Sequence, residues 1–195
     1  MVSMTYIVFE ENEDMKHEIN EKTLIVKDCS ETFETIYEKE YFPKELTEEI
    51  KQANVLLIPD HIKREDKEGY VFPECTQEFL EYVKDNGSDN LIPDIAINDG
   101  DFKKLELHSA SITIATFVVT SIVLPIMINL VSNYLYDQAK KMHRDKKDVS
   151  ARVNIITTED GKKSKMISYE GPVNGIEEAL KSAAKDIFKD DSQEN

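Results

Sequence analysis

The sequence predicts a mixed α/β (or α+β) fold: a small acidic α/β domain, one long apolar helix with a central proline, and a C-terminal ββα module. Three observations carry that expectation. Short β-branched runs alternate with stretches of helical periodicity. Acidic charge is concentrated in the first half of the chain, and an uncharged run of 28 residues, Ser109 to Tyr136, follows it. The organisation that results is residues 1–108, 109–148 and 149–195.

The charge map is the sharpest of the three. The 195 residues carry a formal net charge of -15, yet residues 1–108 hold 27 acidic and 12 basic side chains while residues 109–195 hold 12 of each. An acidic chain is a poor partner for a phosphate backbone, so nucleic acid is excluded as a ligand of the first domain. Two cysteines, Cys29 and Cys75, build neither a disulfide scaffold nor a zinc cluster. The opening MVSMTYIVFEENED has no basic n-region and no long apolar stretch, so no secretory signal is read there.

Within the acidic domain, Thr5 to Phe9 and Thr23 to Val26 read as strands. Phe33, Ile36, Tyr37 and Phe42, then Leu46, Ile50 and Ala53, have helical spacing, with Pro43 dividing them into two short helices. Val55 to Ile58, ended by Pro59, suits a strand buried on both faces. His61 to Gly69 reads as a charged loop. Phe79, Leu80 and Val83 mark a helix beginning near Pro73 and stopped by Asn86-Gly87. Leu91-Ile92 and Ile95 to Ile97 supply a further strand, so strand, helix and strand make at least one crossover unit.

Chemistry is hard to find here. Pro59-Asp60 with Glu65-Asp66-Lys67, and Pro93-Asp94 with Asp101-Phe102-Lys103, have the lettering of a metal-dependent nuclease. The first set falls inside one loop, and the acidic surroundings oppose DNA, so a hydrolase using Asp60, Asp94, Asp99 or Asp101 is the weakest reading. Asn98-Asp99-Gly100-Asp101 lacks oxygen ligands at the preceding positions, Ile95 and Ile97, and reads as a turn rather than a calcium loop. His17, His61, His108 and His143 are scattered without metal-ligand spacing. No nucleophile triad, phosphate loop or dinucleotide fingerprint is present. The expectation is a protein that is not an enzyme, with no catalytic residues, no metal and no cofactor.

A helix over Ser109 to Tyr136 would be about 42 Å long, more than the roughly 30 Å core of a bilayer. Tyr134 and Tyr136 stand where an aromatic belt would be, and Lys140, Lys141, Arg144, Lys146 and Lys147 form a basic flank. This predicts a transmembrane helix and an inner-membrane location. The alternative is a cytoplasmic protein in which the same helix is a buried oligomer interface. Thr113, Thr116 and Thr120 would share one helical face, with Pro125 as a kink and Asn129 beyond it. These five residues are the candidates for an oligomer interface or lumen.

The C-terminal module is predicted as strands Val153 to Thr157 and Lys165 to Tyr169, joined through Asp160-Gly161. Asn174 is the expected N-cap, with Glu177 at N3, of a helix whose apolar stripe runs from Ile176 to Phe188.

The strings IVLPIMINLVSNYLYDQ and ISYEGPVNGIEEALK, separated by a basic linker and hairpin and preceded by LIPDIAIND and LELHS, resemble an arrangement in small bacterial proteins, some encoded near mobile or antiviral-defence loci. The resemblance covers roughly residues 90–188 and carries no catalytic motif, so no functional residue is transferred by it. Similarity to defence-associated membrane effectors implies a sensor domain gating a lethal membrane event. Many such effectors have two or more spans; this chain offers one. The function expected from the residues is a non-enzymatic homo-oligomeric membrane effector. Its acidic domain receives a regulatory protein or small ligand, and its Ser109 to Tyr136 helices assemble into a bundle or pore. The alternative is a soluble oligomeric adaptor module using the same helix as its interface.

Overall fold

The computed structural model describes residues 5–7, 22–64, 67–105, 111–142, 149–159 and 163–189. Strands β1 (Thr5–Ile7) and β2 (Thr23–Cys29) pair antiparallel. Two one-turn helices follow, α1 (Phe33–Tyr37) and α2 (Thr47–Ile50), with a 3-10 turn at Lys44–Leu46 that Pro43 caps. This is the division expected of a residue that fixes φ and cannot donate. A capping box starts α1: the Thr35 N–H donates to Thr32 Oγ1 at 3.3 Å, and the Thr32 N–H to Thr35 Oγ1 at 2.8 Å.

Next come β3 (Val55–Leu57), β4 (Asp60–Arg64), β5 (Lys67–Pro73), α3 (Thr76–Asn86) and β6 (Pro93–Ile95). β3 and β6 are parallel neighbours joined through α3, which is the crossover unit the apolar spacing predicted. Gly87 ends α3 with its N–H on the Val83 carbonyl at 2.9 Å; a Cβ there would lie 2.6 Å from the same oxygen, so only glycine fits the approach. The stretch read as a charged loop is instead the hairpin β4–β5, extended by β7 (Lys104–Leu105) into a separate three-stranded sheet. Its strands are charged on both sides, so no period-2 apolar pattern announced them.

The uncharged run is not one helix. It folds as β8 (Ser111–Thr113), β9 (Phe117–Thr120) and then α4 (Leu124–Lys141), and no helix of the described residues is long and apolar enough to cross a membrane. The transmembrane helix, and with it the inner-membrane location argued from that helix, is therefore corrected. The physical reason lies in side-chain shape. The first half of the run, SITIATFVVT, is dense in β-branched residues, which lose rotamer freedom in a helix and pack well on a pleated sheet. Pro125 sits in the first turn of α4, where its missing N–H costs nothing, and so marks a helix start and not a kink.

The last elements are β10 (Ser150–Glu159), β11 (Lys163–Pro172) and α5 (Ile176–Lys189), the predicted ββα order. Residues 160–162 and the side chain of Phe188 lie outside the described residues. Gly175, at φ +86, stands immediately before α5 in the place expected of Asn174 as cap.

All three stretches of the chain contribute to one sheet, ordered β1-β2-β11-β10-β9-β3-β6, with β8 also paired to β10. β9 and β10 are parallel neighbours connected through α4, a second crossover unit. One face of the sheet is covered by α3, α4 and α5, which bury Phe79, Met127, Val131, Tyr134, Ile176 and Leu180 against Phe117, Val119, Val153, Ile155 and Ile167. The other face is covered in part by α1, α2 and their connection, where Phe33, Ile36, Phe42 and Ile50 pack on Leu56, Val118 and Ile156. Each large apolar side chain so buried contributes about 1.5–3 kcal/mol. Successive side chains of β9 serve opposite faces: Phe117 and Val119 enter the first core and Val118 the second.

Candidate functional site: an aromatic groove on the acidic side

The connection between α1 and α2 is held down by Phe42, whose ring is buried beside Tyr37 at 5.1 Å between centroids. Its N–H donates to the Lys39 carbonyl at 3.2 Å, closing the turn that carries Glu40 and Tyr41. Burying Phe42 leaves the half-buried Tyr41 against Tyr70 of β5, with ring centroids 4.8 Å apart and planes tilted by 57°. Tyr70 also meets His61 of β4 at 5.1 Å. Its hydroxyl donates to Glu40 Oε1 at 2.7 Å.

β5 is fixed in turn by the loop after β6. The Phe72 N–H donates to the Lys103 carbonyl at 2.8 Å, and the Phe72 and Phe102 rings stack at 5.0 Å. A 3-10 turn over Asp99–Asp101 brings Asn98 and Asp101 alongside. Together these three segments enclose a groove of about 510 Å³, walled by Tyr41, Phe42 and Tyr70 and bordered by Glu40, Glu45 and Asp101.

The electrostatics of the groove are negative. Residues 31–50 carry seven acidic side chains against two lysines. Lys44 lines the groove, but its ammonium donates to the Tyr37 carbonyl at 2.7 Å; Lys103 is the second cation of the lining. Burial, with Glu31 and Tyr70 nearby, pushes the Tyr41 hydroxyl well above the usual phenol range. The hydrogen bond to Glu40 raises the pKa of Tyr70. Both rings are therefore neutral donors at physiological pH.

A second, smaller cavity of about 360 Å³ lies beside Cys75, among Pro73, Glu78, Ser111, Thr113 and Gln138. The Cys75 thiol donates to the Thr113 carbonyl at 2.9 Å, and burial pushes it up to about 11. At neutral pH it is a thiol, without the thiolate that nucleophilic chemistry requires. Gln138 and Lys141 both donate to Glu78 Oε1, each at 2.7 Å, bridging α3 to α4.

A third polar grouping crosses the open part of the sheet. Arg152 makes two hydrogen bonds to Glu170, at 2.7 and 3.2 Å, and the Asn154 amide reaches Thr116 Oγ1 at 3.5 Å. Asp60 stands next to both: burial raises its pKa, while Arg152 and the Thr116 hydroxyl oppose the rise. Asp60, Asp94, Asp99 and Asp101 do not assemble a metal centre; among the described residues no three His, Cys, Asp or Glu side chains converge for an ion.

The residues proposed for an interface or lumen are dispersed. The helical face expected of Thr113, Thr116 and Thr120 does not form, because that stretch is strand. Thr113 ends β8 opposite Arg152, Thr116 is buried between β8 and β9, and Thr120 ends β9 opposite Thr158. Pro125 and Asn129 are both exposed, one turn apart on α4. Of the basic flank, Lys140 pairs with Asp137 at 3.0 Å and Lys141 with Glu78 at 2.7 Å, on the last turn of α4. Arg144, Lys146 and Lys147 lie outside the described residues. Tyr41, Tyr70, Glu40 and Glu45 went unread in the sequence, and Asp101 was weighed there only as a metal ligand. Two isolated tyrosines in acidic surroundings were the available signal, but only the fold brings them together.

No protein-family model, curated protein or solved structure matches the chain. The functional reading therefore rests on its own geometry.

Proposed function

We propose that the chain is a non-enzymatic interaction module of the adaptor class, which engages a partner through the groove between the α1–α2 connection, β5 and the 98–103 loop. The single observation that carries this reading is the Tyr41–Tyr70 pair, set in a groove of about 510 Å³ and bordered by three carboxylates. Rigid aromatic side chains offer contact area at low entropic cost, and they are enriched where proteins bind. The groove belongs to the part of the chain that carries its whole net charge.

The test compares proteins co-purifying with the parent chain, with Tyr41→Ala/Tyr70→Ala, and with Gln138→Ala at the second cavity. A partner set lost only in the double variant supports the groove; identical sets in all three sink it.

A second reading, self-association, is favoured by Ile122. This side chain is 85% exposed at the corner between β9 and α4, next to the exposed Pro125 and Ile126, while neighbouring Val123 and Leu124 are buried. Sedimentation velocity of Ile122→Glu decides it: a parent oligomer that becomes a monomer supports the contact, and a parent that is monomeric at all concentrations removes it.

A further inference from the structure

Resting on the groove reading above, we propose that the groove takes an extended basic protein segment, with an arginine guanidinium laid against the Tyr41–Tyr70 pair and held by the neighbouring carboxylates. The same aromatic cluster already takes up cations of its own. Lys44 Nζ lies 5.8 Å from the Phe42 ring centroid, and Lys51 Nζ lies 5.8 Å from that of Tyr37. Tyr37 and Phe42 thus have resident ammonium groups, as ring quadrupoles favour. Among the lysine and arginine side chains that the structure describes, none stands over Tyr41 or Tyr70.

The carboxylates complete the chemistry. Glu40 is oriented by the Tyr70 hydroxyl on its Oε1, and an ionised carboxylate has about four acceptor sites, so one phenol does not saturate it. Glu45, further along the same connection, and Asp101, on the 98–103 loop, border the same groove. A planar guanidinium can stack on an aromatic ring and donate in its plane to carboxylates at once; a lysine ammonium is a point charge and does not match both. The seven acidic side chains of residues 31–50 favour a multiply basic segment over an isolated cation and repel a phosphate-bearing one.

The experiment titrates the full chain with a glycine-spaced peptide carrying two arginines, followed by calorimetry and by the ring resonances of Tyr41 and Tyr70. The arms are the lysine peptide, the citrulline peptide, which keeps the shape without the charge, and spermidine. The arginine peptide is expected to shift both rings. Citrulline should bind at least about tenfold more weakly, and lysine should fall in between. Tyr41→Ala should lose about tenfold, whereas Tyr41→Phe, which keeps the ring and the packing, should bind as the parent does. Asp101→Asn, on an exposed turn, should weaken binding and flatten its salt dependence. Equal binding of the citrulline peptide, full binding by a folded Tyr41→Ala chain, or spermidine binding as tightly as the arginine peptide would each overturn the proposal. A co-purifying partner that depends on Tyr41 and Tyr70, together with no arginine-peptide binding, overturns this proposal alone and leaves the adaptor reading standing.

Discussion

The Tyr70 hydroxyl donates to Glu40 Oε1 at 2.7 Å, and this bond ties the three-stranded sheet to the α1–α2 connection across the groove. One carboxylate is thereby oriented, and the Tyr70 ring is held against Tyr41. The bond is exposed, so its net worth to folding is small and its consequence is positional.

Tyr70→Phe should therefore fold normally, with a melting temperature lowered by no more than about 3 °C. The Glu40 side chain should become more mobile while the Tyr41 ring contact persists. Thermal melts together with side-chain relaxation of Glu40 check this; a large loss of stability would mean the bond carries more of the fold than its exposure allows.

Val119→Arg tests the assignment of the apolar run. Val119 is fully buried in β9, paired with Val55 of β3 and Thr157 of β10. A guanidinium there has no partner, and an unpaired buried charge costs at least about 3–5 kcal/mol. The expected result is global loss of the far-ultraviolet signal of the whole sheet; a folded variant would contradict the central place of β9.

Asp94→Ala tests how the outer edge of the sheet is closed. β6 ends the strand order, and residues 92, 94 and 96 point their backbone groups at β3. The outward positions are Pro93, which has no N–H, and Ile95, whose N–H donates to Asp94 Oδ1 at 2.8 Å. Unpaired edges invite pairing with other chains, and both devices suppress it. The variant should gain concentration-dependent association in sedimentation runs while its monomer stays folded. A monodisperse variant would show that the side chain does not guard the edge.

Glu78 predicts a dependence on pH. Hydrogen bonds from Lys141 and Gln138, together with the Lys141 charge, lower its pKa from the ordinary 4.5. A folded-state pKa below the unfolded one contributes stability that is present above 4.5 and is lost as pH falls through the folded value. Glu78→Gln should therefore be less stable than the parent at neutral pH, and the two should converge in acid. Paired melting curves from neutral pH down to about pH 3 read the difference; a gap that widens in acid has the wrong sign for this bridge.

Much of the fold was legible locally. Val55 to Ile58, the Phe79-Leu80-Val83 spacing and Ile95 to Ile97 announced the β3–α3–β6 unit, and the stripe from Ile176 announced α5, because each element has a period of its own. β4 and the start of β5 were not legible, since Asp60, Lys63 and Glu68 break any apolar alternation there, and Tyr70, Val71 and Phe72 make too short an apolar run to mark a strand by themselves. The groove was less legible still. Tyr41 and Tyr70 belong to different elements, and nothing in either's immediate neighbours specifies that the rings meet.

The partition of charge, the alternation of strands and helices, and the terminal ββα order were determined by the sequence alone, because they are local properties of composition and period. The fate of Ser109 to Tyr136 was decided by tertiary structure. An apolar run without charge satisfies a membrane span and a doubly covered strand equally well. Backbone pairing separates the two. Here β9 finds β10 on one side and β3 on the other, so its N–H and C=O groups are met by neighbouring strands and the apolar side chains serve two cores.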